Sequence, residues 1–215
     1  MVKTTATPGP AGFQLDRQGR FILEDYNRQR PFSNFFPGIA GLWGIPMWVF
    51  YVNRGQAIAS LGIESKDQAI LEFQPANKAY RLTARQGFRT FIKIRNAAAD
   101  KVVWWEPFQD PGPAGAAARQ RMIITSHDLT IEDTHPRLGL TARVNYFTIA
   151  NQPFPGLVRA LTLENHGRRD YDIELIDGLP MIVPYGMKDW LLKNMSRTVE
   201  AWVKVDNLAH QAPFY

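Results

Sequence analysis

Cysteine is absent from all 215 residues. That excludes disulfide staples and thiolate chemistry, and it suits a reducing compartment, so a cytoplasmic location is the expectation. Long apolar runs are missing as well. None approaches the roughly 18 residues that a membrane-crossing helix needs. The opening MVKTTATPGPAGF has no apolar centre of the secretory kind and reads as a flexible polar lead-in over residues 1–19. Nor is there a dense cationic run. The 25 Lys and Arg lie among 20 Asp and Glu, for a net charge of +5, and Arg168-Arg169 is followed at once by Asp170. Nucleic acid is therefore not an expected partner. No internal repeat and no linker between two cores interrupts residues 20–215, which read as one domain.

What the chain does have is apolar and aromatic residues in short runs. Hydrophobic residues make up 45% and aromatics 12% of the sequence, ample for a packed core. The stretch from Arg30 to Ile63 organises the rest. Its aromatic approach, punctuated by Pro and Gly, leads into two apolar runs, Met47 to Val52 and Gln56 to Ile63. Asn53-Arg54-Gly55 separates them, and a Gly closing so short a connection predicts a β-hairpin. Both runs carry apolar residues on both faces, so the hairpin is expected to be covered on both sides.

Further strands are predicted at Arg20 to Asp25, Gln68 to Gln74, Thr90 to Arg95, Lys101 to Glu106, Arg121 to Ser126 and Leu129 to Glu132. Leu138 to Ala150, Gly156 to Asn165, Asp170 to Asp177 and Arg197 to Leu208 complete the set. One helix is predicted, over Met187 to Ser196, where Met187, Trp190, Leu191 and Met195 recur at helical spacing. Many strands with turn signals between them argue for an all-β, antiparallel sandwich with one short helix. Ile173 and Leu175 alternate with Asp172 and Glu174, the pattern of a strand buried on one face. Gly156 to Leu163 is apolar on both faces and is expected to be an inner strand.

Few residue groups suit chemistry. His127 and His135 bracket HDLTIEDTH with Asp133 on the same side, and His and Asp are metal-ligand types. In an extended strand, however, the two imidazoles stand about 26 Å apart at roughly 3.3 Å per residue, so no metal site is expected. Glu164 and His166 share a strand face and could move protons on a sugar, but ENHGRRD reads more simply as a solvated turn. The PGPAGAAARQR segment lacks the Gly-Lys-Ser/Thr of a phosphate loop, and no Gly-x-Ser-x-Gly elbow occurs. The six Trp are more informative. Trp104 and Trp105 must point to opposite faces of their strand. Trp202 falls with the polar residues of the predicted Arg197 to Leu208 strand, opposite Val199, Ala201, Val203 and Val205. An outward indole can stack on a sugar ring or cover a neighbouring domain.

Four segments carry a family resemblance: RPFSNFFPGIAGLWGIPMWVFYVNRGQ (Arg30 to Gln56), ILEFQPANKAYRLTARQGFRTFIK (Ile70 to Lys93), IDGLPMIVPYG (Ile176 to Gly186) and MSRTVEAW (Met195 to Trp202). They resemble the N-terminal region of the cellobiose phosphorylase family, glycoside hydrolase family ninety-four, and most closely the β-1,2-oligoglucan phosphorylases. The resemblance implies a two-sheet supersandwich of the kind shared with galactose mutarotase. It also implies a parent reaction in which phosphate attacks a terminal glucosyl unit with inversion to give glucose 1-phosphate, an Asp acting as general acid. Phosphate is already an anion and needs no general base. In the family the Asp and the phosphate-binding residues belong to a helical (α/α)₆ barrel that follows the sandwich. No residue here matches that acid, so no catalytic residue is assigned, and no cofactor beyond phosphate as the parent's co-substrate.

Family members are several times longer, so the chain is expected to be a fragment, a truncated product or a stand-alone relative. Two functions stay open: the carbohydrate-associated sandwich of a β-glucan phosphorylase, not catalytic alone, or an independent carbohydrate-binding or interaction module; a third, mutarotase-like epimerisation, rests only on Glu164 and His166. Trp43, Trp105, Trp190 and Trp202 are the candidate residues for interdomain cover or sugar contact.

Overall fold

The computed structural model describes residues 12–36, 39–40, 44–96, 101–110, 112, 119–195, 197–202, 204, 206 and 209. The chain opens with β1 (Phe13–Leu15), β2 (Phe21–Glu24), β3 (Ser33–Phe36), β4 (Ile39–Ala40), β5 (Ile45–Val52), β6 (Ile58–Ile63) and β7 (Ala69–Leu71). Helix α1 (Ala76–Gln86) intervenes. Then come β8 (Arg89–Asn96), β9 (Lys101–Trp105), β10 (Arg119–Ile124), β11 (Asp128–Thr134), β12 (Leu140–Thr148), β13 (Leu157–Asn165) and β14 (Tyr171–Gly178). Two short helices, α2 (Asp189–Asn194) and α3 (Arg197–Trp202), follow.

Every strand pairing is antiparallel. One sheet has six strands in the order β1-β2-β10-β11-β12-β13. A second runs β3-β5-β6-β7 with β4 on β5, and a third runs β14-β8-β9. The main core lies between the first two: Leu23, Met122, Leu129, Ile131, Val144 and Tyr146 from the six-stranded sheet meet Met47, Val49, Tyr51, Ile58 and Leu71. A smaller core joins the third sheet to the end of β12, through Ile92, Ile94 and Leu140, with Trp105 and Leu163 packed against them. The architecture is thus the expected all-β, sandwich-like one.

The β5–β6 hairpin is where it was expected, but its turn is interior rather than a surface loop. Asn53 and Gln56 are buried, so the turn's backbone groups need protein partners in place of water. Asn53 Nδ2 donates to the Tyr26 and Arg30 carbonyls, and its Oδ1 accepts from Phe32 N. Gly55 N donates to Asn27 Oδ1 at 2.8 Å, and Tyr26 Oη donates to Gly55 O at 2.6 Å.

Several expectations are corrected. The strand β1 begins inside the predicted lead-in, pairing Phe13 with Leu23, while residues 1–11 lie outside the described ones. Helix α1 was not expected. Its only fully buried side chains are Ala79 and Thr83, so it shows no large apolar stripe. Only its composition of good helix formers and the C-cap Gly87, whose N–H reaches Thr83 O, mark it. The predicted Met187–Ser196 helix is present as α2, but Arg197–Trp202 is helical, not extended. Four alternating apolar residues cannot by themselves separate the two. The strand β13 is an edge strand, not an inner one. On β14, Ile173 and Leu175 are exposed, because β14 is the edge of the third sheet and its neighbour β8 takes the cover.

Candidate functional site

Of the expected tryptophans, Trp43 lies outside the described residues. Trp105 points inward: it packs on both cores, edge-on to His135 with centroids 5.3 Å apart. Its indole is partly buried there. The outward member of that pair is Trp104, 72% exposed. Trp190 on α2 and Trp202 on α3 are exposed, at 63% and 67%. Of the three described candidates, Trp105 faces the core while Trp190 and Trp202 face outward.

The imidazoles and carboxylates also separate. Asp133 faces the core with Leu129 and Ile131, its Oδ2 accepting from Phe108 N at 2.6 Å and Gln120 Nε2 at 2.8 Å. Burial pushes its carboxyl up to about 6. The described residues contain no group of three or more His, Cys, Asp or Glu suited to a metal ion. Glu164 contacts His166 at 3.3 Å and accepts from Arg143 Nη1 at 2.9 Å. It closes a ladder, Glu24–Arg121–Glu132–Arg143–Glu164, that crosses the outer face of the six-stranded sheet. Opposite charges paired across a solvent-facing sheet give modest cross-strand support, and Arg143 as well as His166 engages Glu164.

The outer face of the third sheet has another character. The β14-β8-β9 register puts Ile176 beside Phe91, and Glu174 beside Lys93 beside Trp104, all on that face. Lys93 bonds Glu174 at 2.8 Å and sits 5.8 Å from the Trp104 ring centre; Arg89 stacks 4.6 Å above Phe91. Beyond β14, Met181, Ile182 and Tyr185 are exposed too.

Between β13 and β14 lies a polar knot, buried at Gln56 and Thr90 and open to solvent at Asp177. Arg159 forks onto both oxygens of Asp177; its Nη2 also donates to Gln56 Oε1 at 2.6 Å and Thr90 Oγ1 at 3.1 Å. Thr90 Oγ1 donates to Asp177 Oδ1 at 2.6 Å, and the guanidinium lies 5.0 Å from the Phe88 ring centre. With Gln56 in the hairpin turn, this knot ties the three sheets together.

A cavity of about 450 Å³ opens between α1, β7, the segment 180–187 and α2. Ile70, Leu71, Leu82, Met181, Val183 and Leu192 dominate its wall, and Glu72, Gln74 and Gln86 supply polar groups. Burial raises the Glu72 carboxyl despite its bond to Gln74 and the nearby Lys78 and Lys193. The 180–187 wall is held by Val183 N donating to Ile70 O at 2.8 Å. The helix α2 is held by Asp189, whose N donates to Asp67 Oδ1 and whose Oδ2 meets Lys66, both at 2.9 Å. The sequence placed PMIVPYG beyond a strand but gave no sign of this cavity, because its opposite wall is the unexpected α1.

No protein-family model matches this sequence, and no curated protein matches it either. Among the described residues, no helix is long and apolar enough to cross a membrane.

Proposed function

We propose that the chain is the carbohydrate-associated β-sandwich of a β-glucan oligosaccharide phosphorylase of the cellobiose phosphorylase family, without catalysis of its own. Its partner is a helical catalytic domain that supplies the general acid and binds inorganic phosphate, and the assembly works in the cytoplasm on β-glucan oligosaccharides. The observation that carries this reading is the contrast between surfaces. A charge ladder covers the six-stranded sheet, whereas Ile176, Met181, Ile182, Trp190 and Trp202 stand exposed on β14 and the segments after it. Exposed apolar side chains gathered along one stretch suit cover by another domain. Most of them belong to IDGLPMIVPYG and MSRTVEAW, two of the segments that resemble the phosphorylases.

A second reading, an independent carbohydrate-binding module, has one observation in its favour. The Trp104 indole lies open on a sheet face beside the Lys93–Glu174 pair, which can bond sugar hydroxyls. One set of measurements separates the two. The pure chain, given β-1,2-glucan oligosaccharides and phosphate, is expected to release no glucose 1-phosphate above a buffer blank and to show no saturable oligosaccharide binding. Turnover would overturn the non-catalytic assignment. Saturable binding lost in Trp104→Ala would establish the second reading.

A further inference from the structure

We propose that the cavity between α1 and the 180–187 segment binds a small amphiphile, a linear aliphatic body with a primary ammonium head set against Glu72. A volume of about 450 Å³ falls in the range of small-molecule sites and far exceeds one inserted side chain. Its wall is aliphatic, with no aromatic ring among the lining residues, so it offers an alkyl chain contact everywhere and a sugar ring no stacking surface. Met181 and Met187 are the lining side chains best able to adjust to an irregular guest.

The head group follows from charge. Among the described residues, Glu72 is the only ionisable one lining the cavity. It is half-buried, and burial together with the nearby Asp189 carboxylate raises it against the opposing Gln74, Lys78 and Lys193. A carboxylate left short of compensation gains from an ammonium donor and repels an anionic head. Access has a structural basis as well. The segment forming one wall lies between Gly178 and Gly186, both at positive φ. Between those two glycines, one backbone bond, Val183 N to Ile70 O, joins it to β7. The glucan reading is independent of this pocket, and neither stands or falls with the other.

The test is calorimetric titration of the 215-residue chain with octylammonium and with octanoate. Octylammonium is expected to saturate one site, and octanoate to bind at least about tenfold more weakly. Glu72→Gln, at a half-buried position that tolerates an isosteric change, is expected to weaken octylammonium by about fivefold or more. Leu82→Trp and Ile182→Trp fill the cavity from opposite walls, and whichever of them keeps the native circular dichroism is expected to abolish binding. Absence of saturable octylammonium binding, equal affinity for octanoate, or an unchanged Kd in Glu72→Gln would each overturn the proposal. So would binding that persists in a folded tryptophan variant.

Discussion

Asp133 sits among aliphatic side chains on the inner face of β11, and its proton equilibrium follows from that place. Its carboxyl rises from an ordinary value near 3.8 to about 6, so the native state holds the proton more tightly than the unfolded chain does. The resulting stabilisation is fully present below about pH 4 and is lost as pH rises through about 6. A displacement of about two units is worth on the order of 3 kcal/mol. Asp133→Asn keeps an oxygen to accept from both Phe108 N and Gln120 Nε2, because one carboxylate oxygen takes both bonds. Urea denaturation at pH 4, 5, 6 and 7 is expected to show a declining stability for the natural chain and a flatter profile for Asp133→Asn. An identical slope in both would mean that Asp133 is not the group responsible. Alternation placed Asp133 on the same side as Leu129 and Ile131. That this side faces the core, and that Phe108 and Gln120 meet the carboxylate there, depends on residues far away in sequence.

Among elements, the β5–β6 turn and the β13–β14 knot concentrate the strain and the coupling. Gly55 has φ +53, and a Cβ there would lie 2.7 Å from Ala84 Cα on α1. Gly55→Ala therefore combines a left-handed backbone with a clash against a helix that cannot yield locally, and is expected to lower stability by about 2 kcal/mol or more in urea. Arg159→Lys tests the knot. A lysine is a point charge and cannot reproduce the fork onto both Asp177 oxygens while also reaching Gln56 and Thr90. The substitution is expected to cost about 2 kcal/mol, with faster amide exchange in β13 and β14 and little change in β10 and β11. Uniform exchange across the six-stranded sheet would show that the knot does not couple these edges. The hairpin was legible because Asn-Arg-Gly between apolar runs is a local signal. Helix α1 was not, since it buries small side chains, and neither was the helical state of α3, since its six residues are too few to show a period.

At the level of the molecule, the exposed residues after β13 set the expected behaviour. If Trp202 serves as cover for a neighbouring domain, Trp202→Ala should raise the solubility limit of the isolated chain and leave an oligosaccharide titration unaltered. Light scattering against concentration reads the first, calorimetry the second. A measurable oligosaccharide affinity that disappears with Trp202 would reverse the assignment. Trp105→Ala, in contrast, should destabilise the fold by roughly 2 to 3 kcal/mol, below the roughly 3 to 5 kcal/mol of a fully buried tryptophan because the indole is only partly buried. The two indoles were candidates for one role on sequence grounds, and their burial divides them.

The sequence by itself determined the class of fold. Short apolar runs, turn residues between them and a hairpin signal are local properties, and together they favour strands over most of the chain, Arg197–Trp202 being the exception. It also excluded disulfides, since that requires only a count of cysteine. Tertiary structure decided what each face meets. Whether Trp104 or Trp105 points outward depends on which side of β8 and β9 the six-stranded sheet covers. Whether Ile173 and Leu175 are buried depends on how far that cover extends. The cavity exists only because the 180–187 segment returns to α1 and β7, which lie roughly a hundred residues earlier. Alternation fixes which side chains share a face; only packing against elements distant in sequence fixes which face is inside.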